Sequence, residues 1–104
     1  MKYKEEARAL VMEKLMVFGK IYNLFPNRIA IRNTKSRWGS CSKRGNLNFN
    51  YRIVFLPPAL ADYLVVHELC HLGEFNHSPK FWNLVAVAVP DYKKLRKELR
   101  NVRN

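Results

Sequence analysis

With 104 residues, 48% of them hydrophobic, the chain is long enough to bury a core without staples and too apolar to be disordered. It has no apolar run near the roughly 18 residues a membrane span needs and no signal-peptide apolar segment; its two cysteines, Cys41 and Cys70, are too few for a disulfide scaffold and read as reduced thiols. A soluble, cytoplasmic, monomeric protein with one domain over residues 1–104 is expected.

Residues 2–25 read as an amphipathic helix, with Tyr3, Ala7, Leu10, Val11, Leu15, Phe18, Tyr22 and Phe25 at three- and four-residue steps. Glu5 and Glu6 sit in its first turn, where the helix dipole favours acids, and Pro26-Asn27 ends it. The period then changes. Arg28-Ile29-Ala30-Ile31-Arg32 alternates as a half-buried strand does, Ser36 to Ser42 reads as a second strand, and Lys43-Arg44-Gly45-Asn46 supplies a turn. Leu47-Asn48-Phe49 alternates again, and Tyr51 to Leu56 reads as a more apolar strand stopped by Pro57-Pro58. The expected class is α+β: an N-terminal helix over a small antiparallel or mixed sheet of three or four strands, with helices after it.

Pro58 suits a helix first turn, and the apolar run that follows predicts a buried helix ending near Gly73 as its C-cap. Ser78-Pro79 is an N-cap and first-turn pair for a helix through about Val89, and Pro90-Asp91 precedes a basic final helix.

All three histidines of the chain, His67, His71 and His77, fall within one short stretch that also holds Glu68. On a helix His67 and His71 leave the same face about one turn, roughly 6 Å, apart, a spacing suited to gripping one ion. Glu68, about 100° round the helix, can reach a metal-bound water. This is the HExxH pattern: two histidine ligands for zinc and a glutamate general base. A catalytic zinc takes three protein ligands, and His77 is the choice for the third because the chain can turn at Gly73 and return. Glu74 and Glu98 are rivals, the first about 10 Å along the helix axis from His67, the second in a charged helix. The HExxHxxxxxH spacing is also that of metzincin proteases. Those place glycine where Glu74 stands here and a methionine turn downstream, whereas Met1, Met12 and Met16 all precede the motif. Cys70 reads as a core thiol, and Phe81 and Trp82 as core anchors. Arg37, Tyr63 and Tyr92 are candidates by type for stabilising an oxyanion. Residues Arg37 to Ser42 read either as a core strand or as an edge strand beside the cleft that holds an extended peptide.

Three blocks, Lys35-Ser36-Arg37-Trp38-Gly39-Ser40-Cys41-Ser42, Asp62 to His71, and Asn76-His77-Ser78-Pro79-Lys80-Phe81-Trp82, resemble the YgjP-like metallopeptidase family, related to the SprT and WLM metallopeptidases. The resemblance runs from about Tyr3 to Leu99. It implies a zincin-like fold, Zn2+ held by His67, His71 and His77, Glu68 as catalytic base, and a polypeptide substrate hydrolysed by a zinc-bound water.

The chain carries 19 Lys+Arg against 8 Asp+Glu, a net charge of +11. No acid occurs between Glu13 and Asp62, an interval that holds Lys14, Lys20, Arg28, Arg32, Lys35, Arg37, Lys43, Arg44 and Arg52. Lys93, Lys94, Arg96, Lys97, Arg100 and Arg103 form a second basic cluster. Such a surface attracts phosphates or acidic polypeptides. The alternative function is therefore a basic zinc domain associated with nucleic acid, including a peptidase acting on DNA- or RNA-bound proteins.

Overall fold

A computed structural model of the chain describes residues 2–102; Arg103 of the second basic cluster lies outside them. Helix α1 spans Lys2–Tyr22 and buries Ala7, Val11, Leu15 and Gly19, a four-residue repeat that forms one stripe. It stops three residues before the expected end at Phe25. Asn23 adopts the left-handed conformation (φ 53°), and the Leu24 N–H returns to the Gly19 carbonyl at 3.2 Å, a Schellman closure. Phe25, expected in the apolar stripe, is consequently 63% exposed. Lys14 on this helix pairs with Asp62.

Three strands, β1 (Arg28–Arg32), β2 (Gly39–Cys41) and β3 (Asn46–Asn50), form a mixed sheet in the order β1-β3-β2. β1 runs parallel to β3, with Ile29 beside Leu47 and Ile31 beside Phe49; β2 runs antiparallel to β3, with Gly39 opposite Phe49. Alternation therefore gives the sheet an inner, apolar face (Ile29, Ile31, Leu47, Phe49) and an outer, polar one (Arg28, Arg32, Ser40, Asn46, Asn48). Gly45 closes the β2–β3 turn at φ 84°, a conformation that favours glycine, with its N–H donating to the Ser42 carbonyl at 3.0 Å.

Two strand expectations are corrected. The strand read over Ser36 to Ser42 contracts to Gly39–Cys41. Ahead of it the chain is held as a loop: the Thr34 hydroxyl donates to the Arg37 carbonyl at 2.8 Å, and the buried Asn50 amide donates to the carbonyls of Thr34 (2.8 Å) and Arg37 (3.1 Å). Tyr51 to Leu56, read as a strand, instead holds a 3-10 helix over Tyr51–Phe55, capped by the Asn50 side-chain oxygen accepting from the Arg52 N–H. A short apolar run does not distinguish a strand from a buried helical turn, and here the cap decides.

Helix α2 (Pro58–Cys70) is the centre of the molecule. It is apolar on nearly every face, burying Leu60, Ala61, Tyr63, Leu64, Val65, Val66, Leu69 and Cys70, as a helix covered all round requires. α1, β2, α3 (Pro79–Ala88) and α4 (Tyr92–Asn101) pack against it. The helix ends at Cys70, and Gly73 is not a left-handed cap. Instead the N–H groups of Gly73 and Glu74 both reach the Cys70 carbonyl, at 3.0 and 2.9 Å. Gly73 serves close packing: a Cβ there would meet Leu84 at 3.3 Å and Leu24 at 3.4 Å. Ser78 caps α3 as expected, accepting from the Phe81 N–H. α4 buries Leu95 and Leu99 and turns its basic residues outward.

Candidate metal centre

The last turn of α2 carries His67 and Glu68, and His71 follows at the C-cap, still in helical conformation (φ −65°, ψ −17°). The four-residue spacing therefore keeps both imidazoles on one face although the regular helix has ended. The turn through Gly73 and the loop beyond it bring His77 back over them, just ahead of the Ser78 cap. His77 Nε2 stands 3.0 Å from His71 Nε2 and 3.2 Å from His67 Nε2. One nitrogen from each ring lies within 4.8 Å of those of the other two.

That geometry fits one tetrahedral ion. Nitrogens bonded at about 2.0–2.1 Å to a shared zinc stand roughly 3.3 Å apart, close to the two spacings observed. The far side of each α2-derived ring supports the same reading. His71 Nδ1 donates to the Glu74 carbonyl at 3.2 Å; a carbonyl only accepts, so in the neutral ring the proton sits on Nδ1 and Nε2 presents its lone pair. His67 Nδ1 meets the Tyr63 hydroxyl at 3.1 Å, one helical turn back. Rings pack on the cluster as well: Phe81 stacks on His71 (4.3 Å, 18°) and Trp82 on His77 (5.6 Å, 22°).

Desolvation favours the neutral form of each imidazole, the form a metal ligand needs. Desolvation, then the neighbouring His71, His77 and Arg96, lowers His67 to about 3. Desolvation is also the main cause of the lowered values of His71 and His77, helped by His77 in the first case and Arg96 in the second. Glu68 is only 6% exposed, and desolvation raises its carboxyl to about 8.

The other sequence candidates go elsewhere. Glu74 contributes its carbonyl to His71, and Glu98 is exposed on α4; neither carboxylate joins the histidine cluster among the described residues. Tyr63, an oxyanion candidate by type, is 2% exposed and engaged with His67. Tyr92 stacks on Trp82 at 5.1 Å. Arg37 lies on the far side of β2, lining a separate pocket. Cys70 is buried and its thiol is pushed up to about 12, by burial above all, with a hydrogen bond to Tyr22 pulling the other way. Phe81 is fully buried, as a core anchor should be, but it and Trp82 also pack against the histidine rings.

A cleft of about 280 Å³ opens beside His67 and Glu68, walled by Tyr63, Gly39, Leu99 and Arg96. Of these walls, Gly39 belongs to the segment read as an edge strand beside the cleft, whereas Arg96 was read only as part of the second basic cluster. Gly39 abuts Glu68 so closely that a Cβ would lie 3.1 Å from its Oε2. Arg96 lies with its guanidinium 5.0 Å above the Trp82 ring. β2 is an edge strand, so the edge reading of Arg37 to Ser42 holds for its Gly39–Cys41 part. Trp38 and Ser42 bond to β3 through Asn50 and Asn46, at 2.8 and 2.9 Å. By the alternation of antiparallel pairing, the main-chain groups of Gly39 and Cys41 then face the open edge.

A buried helix presenting clustered imidazoles beside a glutamate and an open cleft defines a metallopeptidase-like centre. The model of the YgjP-like, metallopeptidase domain family matches residues 2–102, and the chain belongs to that family. Among solved structures, the metallopeptidase zymogen abylysin of Pyrococcus abyssi is similar at 25% identity and a TM-score of 0.77, over 90% of this chain and 97% of that one. The metallopeptidase zymogen jannalysin of Methanocaldococcus jannaschii shares the fold at 24% identity and a TM-score of 0.68, over 89% and 92% of the two chains. No curated protein matches the sequence. No helix among the described residues is long and apolar enough to cross a membrane.

Proposed function

We propose that the chain is a zinc-dependent endopeptidase in which His67, His71 and His77 hold the ion and Glu68 is the general base. The observation that carries this reading is the convergence of three imidazole nitrogens beside a buried carboxyl, with the opposite nitrogen of His71 tied to a carbonyl. Three imidazoles make zinc the favoured ion. When bound, a zinc ion supplies Lewis acidity, polarising the scissile carbonyl and acidifying water. Glu68 takes the proton from the attacking water and delivers it to the departing amine as the C–N bond breaks. Of the two arginines on the wall of the same cleft, Arg96 and Arg100, Arg96 is assigned to meet negative charge on the carbonyl oxygen. The open edge of β2 holds the extended substrate by main-chain hydrogen bonds.

A structural zinc site in a basic nucleic-acid-associated domain calls for a fourth Cys or His ligand. No fourth such group joins the cluster among the described residues. Elemental analysis and casein-type proteolysis test the reading together. We expect one zinc per chain, lost in His77→Ala, and cleavage lost in Glu68→Gln with the metal retained. Full metal occupancy in His77→Ala would remove that residue from the ligand set.

A further inference from the structure

A second pocket, of about 220 Å³, opens on the outer face of the sheet, between the 33–38 loop and β2. Arg32, Arg37, Thr34, Ser40 and Asn48 line it, and it shares Trp38 and Gly39 with the cleft beside Glu68. The two cavities thus lie on either side of the same short edge strand.

The polar groups of this pocket are ordered across all three strands. Arg32 Nε donates to Asn48 Oδ1 at 3.3 Å, and Asn48 Nδ2 donates to Ser40 Oγ at 3.2 Å. Asn48 thereby orients the guanidinium while leaving its terminal N–H groups free of that bond, a planar fork matched to a carboxylate. Neither Arg32 nor Arg37 forms an ion pair among the described residues. A pair of guanidiniums without a carboxylate, set around a concavity, selects an anion.

The strand register identifies which anion. A peptide paired with the open groups of Gly39 and Cys41 sends successive side chains to opposite faces of the sheet, about 3.3 Å apart along the chain. Side chains on the inner side meet the cleft. Their immediate neighbours fall on the outer side, where Ser40 and Asn48 stand.

We propose that this outer pocket is a substrate subsite that takes the carboxylate side chain of an Asp or Glu next to the residue seated in the cleft, so that the protein acts on acidic peptides. This assignment rests on the peptidase reading. The net charge of +11 favours the same substrates at long range. Nucleic-acid backbones are held by a track of cations neutralising many phosphates, whereas this site is one pair of arginines, Arg37 just ahead of the peptide-pairing strand and Arg32 reaching in from β1 over the central strand to Asn48.

The test uses zinc-loaded full-length protein and quenched fluorescent peptides identical except for Glu, Gln or Lys scanned through the positions flanking the cut. In parallel, fluorescence anisotropy measures binding of the same peptides to Glu68→Gln. Glu should be preferred over Gln by about 10- to 30-fold, as expected for a charge-assisted hydrogen-bonded pair. The ratio should fall to about one in the Arg32→Ala/Arg37→Ala double variant, and Lys should become the preferred residue in Arg37→Glu. Metal content and thermal melting establish that the variants fold. Equal handling of Glu and Gln by the wild type, or a preference unchanged in the variants, overturns the subsite. So does oligonucleotide binding that depends on the two arginines while the peptide preference is absent. If no peptide is cleaved, the peptidase reading fails, and the binding ratio on Glu68→Gln alone decides the pocket.

Discussion

Replacing Glu68 with Gln in metal-free protein isolates the cost of keeping that carboxyl buried. The folded group titrates at about 8 against an ordinary value of 4.5, because desolvation penalises the charged form. Between those values the unfolded chain has released the proton while the folded chain retains it. The native state then binds more protons than the unfolded state, so stability falls as pH rises through this window and levels off above the folded value. The limiting slope is about 1.4 kcal/mol per pH unit, which gives a loss of about 3–4 kcal/mol between pH 5 and pH 8. Glu68→Gln has no such group. The three histidines, all with values below the usual 6.5, lose stability toward acid in both proteins and largely cancel in the comparison. Urea unfolding of both metal-free proteins across this range reads the difference directly. We expect the variant to be the more stable protein at pH 8 by several kcal/mol, with the gap closing toward pH 5. Parallel pH profiles would mean that the carboxyl ionises freely in the fold, and the argument from burial would be wrong.

Tyr63→Phe removes the hydroxyl that meets His67 Nδ1; zinc affinity, read by competition with a chromophoric chelator, should fall by about 10-fold or more, with the fold intact. Gly39→Ala places a Cβ 3.0 Å from the Asn48 carbonyl and 3.1 Å from Glu68 Oε2. Since the carbonyl belongs to the sheet, the carboxyl is the part that gives way: peptide cleavage should drop more than zinc content, and melting should report a loss of about 1–3 kcal/mol. Arg96→Ala should lower kcat by about 100-fold with little change in KM if the guanidinium meets the developing oxyanion. An unchanged kcat would limit Arg96 to packing over Trp82.

What the sequence disclosed and what it concealed divide by whether a periodic pattern carries the information. The His67–Glu68–His71 spacing, the Ser78-Pro79 helix start and the alternation of Arg28–Arg32 are local patterns, and local geometry realises each of them. The Tyr63–His67 contact was open to the same reasoning, since the two lie one helical turn apart; assigning tyrosine by chemical type obscured it. Of the misread segments, only the 34–37 loop was settled by a remote partner. Asn50 both holds the 34–37 loop away from strand geometry and caps the 3-10 helix at Tyr51, and one side chain doing both leaves no periodic trace. The end of α1 depended on Asn23 adopting a positive φ, which an apolar stripe running on to Phe25 masks.

The setting of Glu68 shows why local and remote information must meet at this site. The helix supplies the carboxyl one residue after His67, but the helix alone leaves it in solvent with an ordinary acidity. Its environment comes in part from Gly39, a distant residue on the edge strand whose missing side chain lets β2 close over the carboxyl. The same strand offers open main-chain groups for a peptide and separates the cleft from the arginine-lined pocket. A glycine there therefore permits a close approach that helps bury the Glu68 carboxyl and raise its value, on a strand whose outer main-chain groups are open. A larger residue would trade that approach for packing strain, so the short β2 and the HExxH helix act as one unit although neither motif predicts the other.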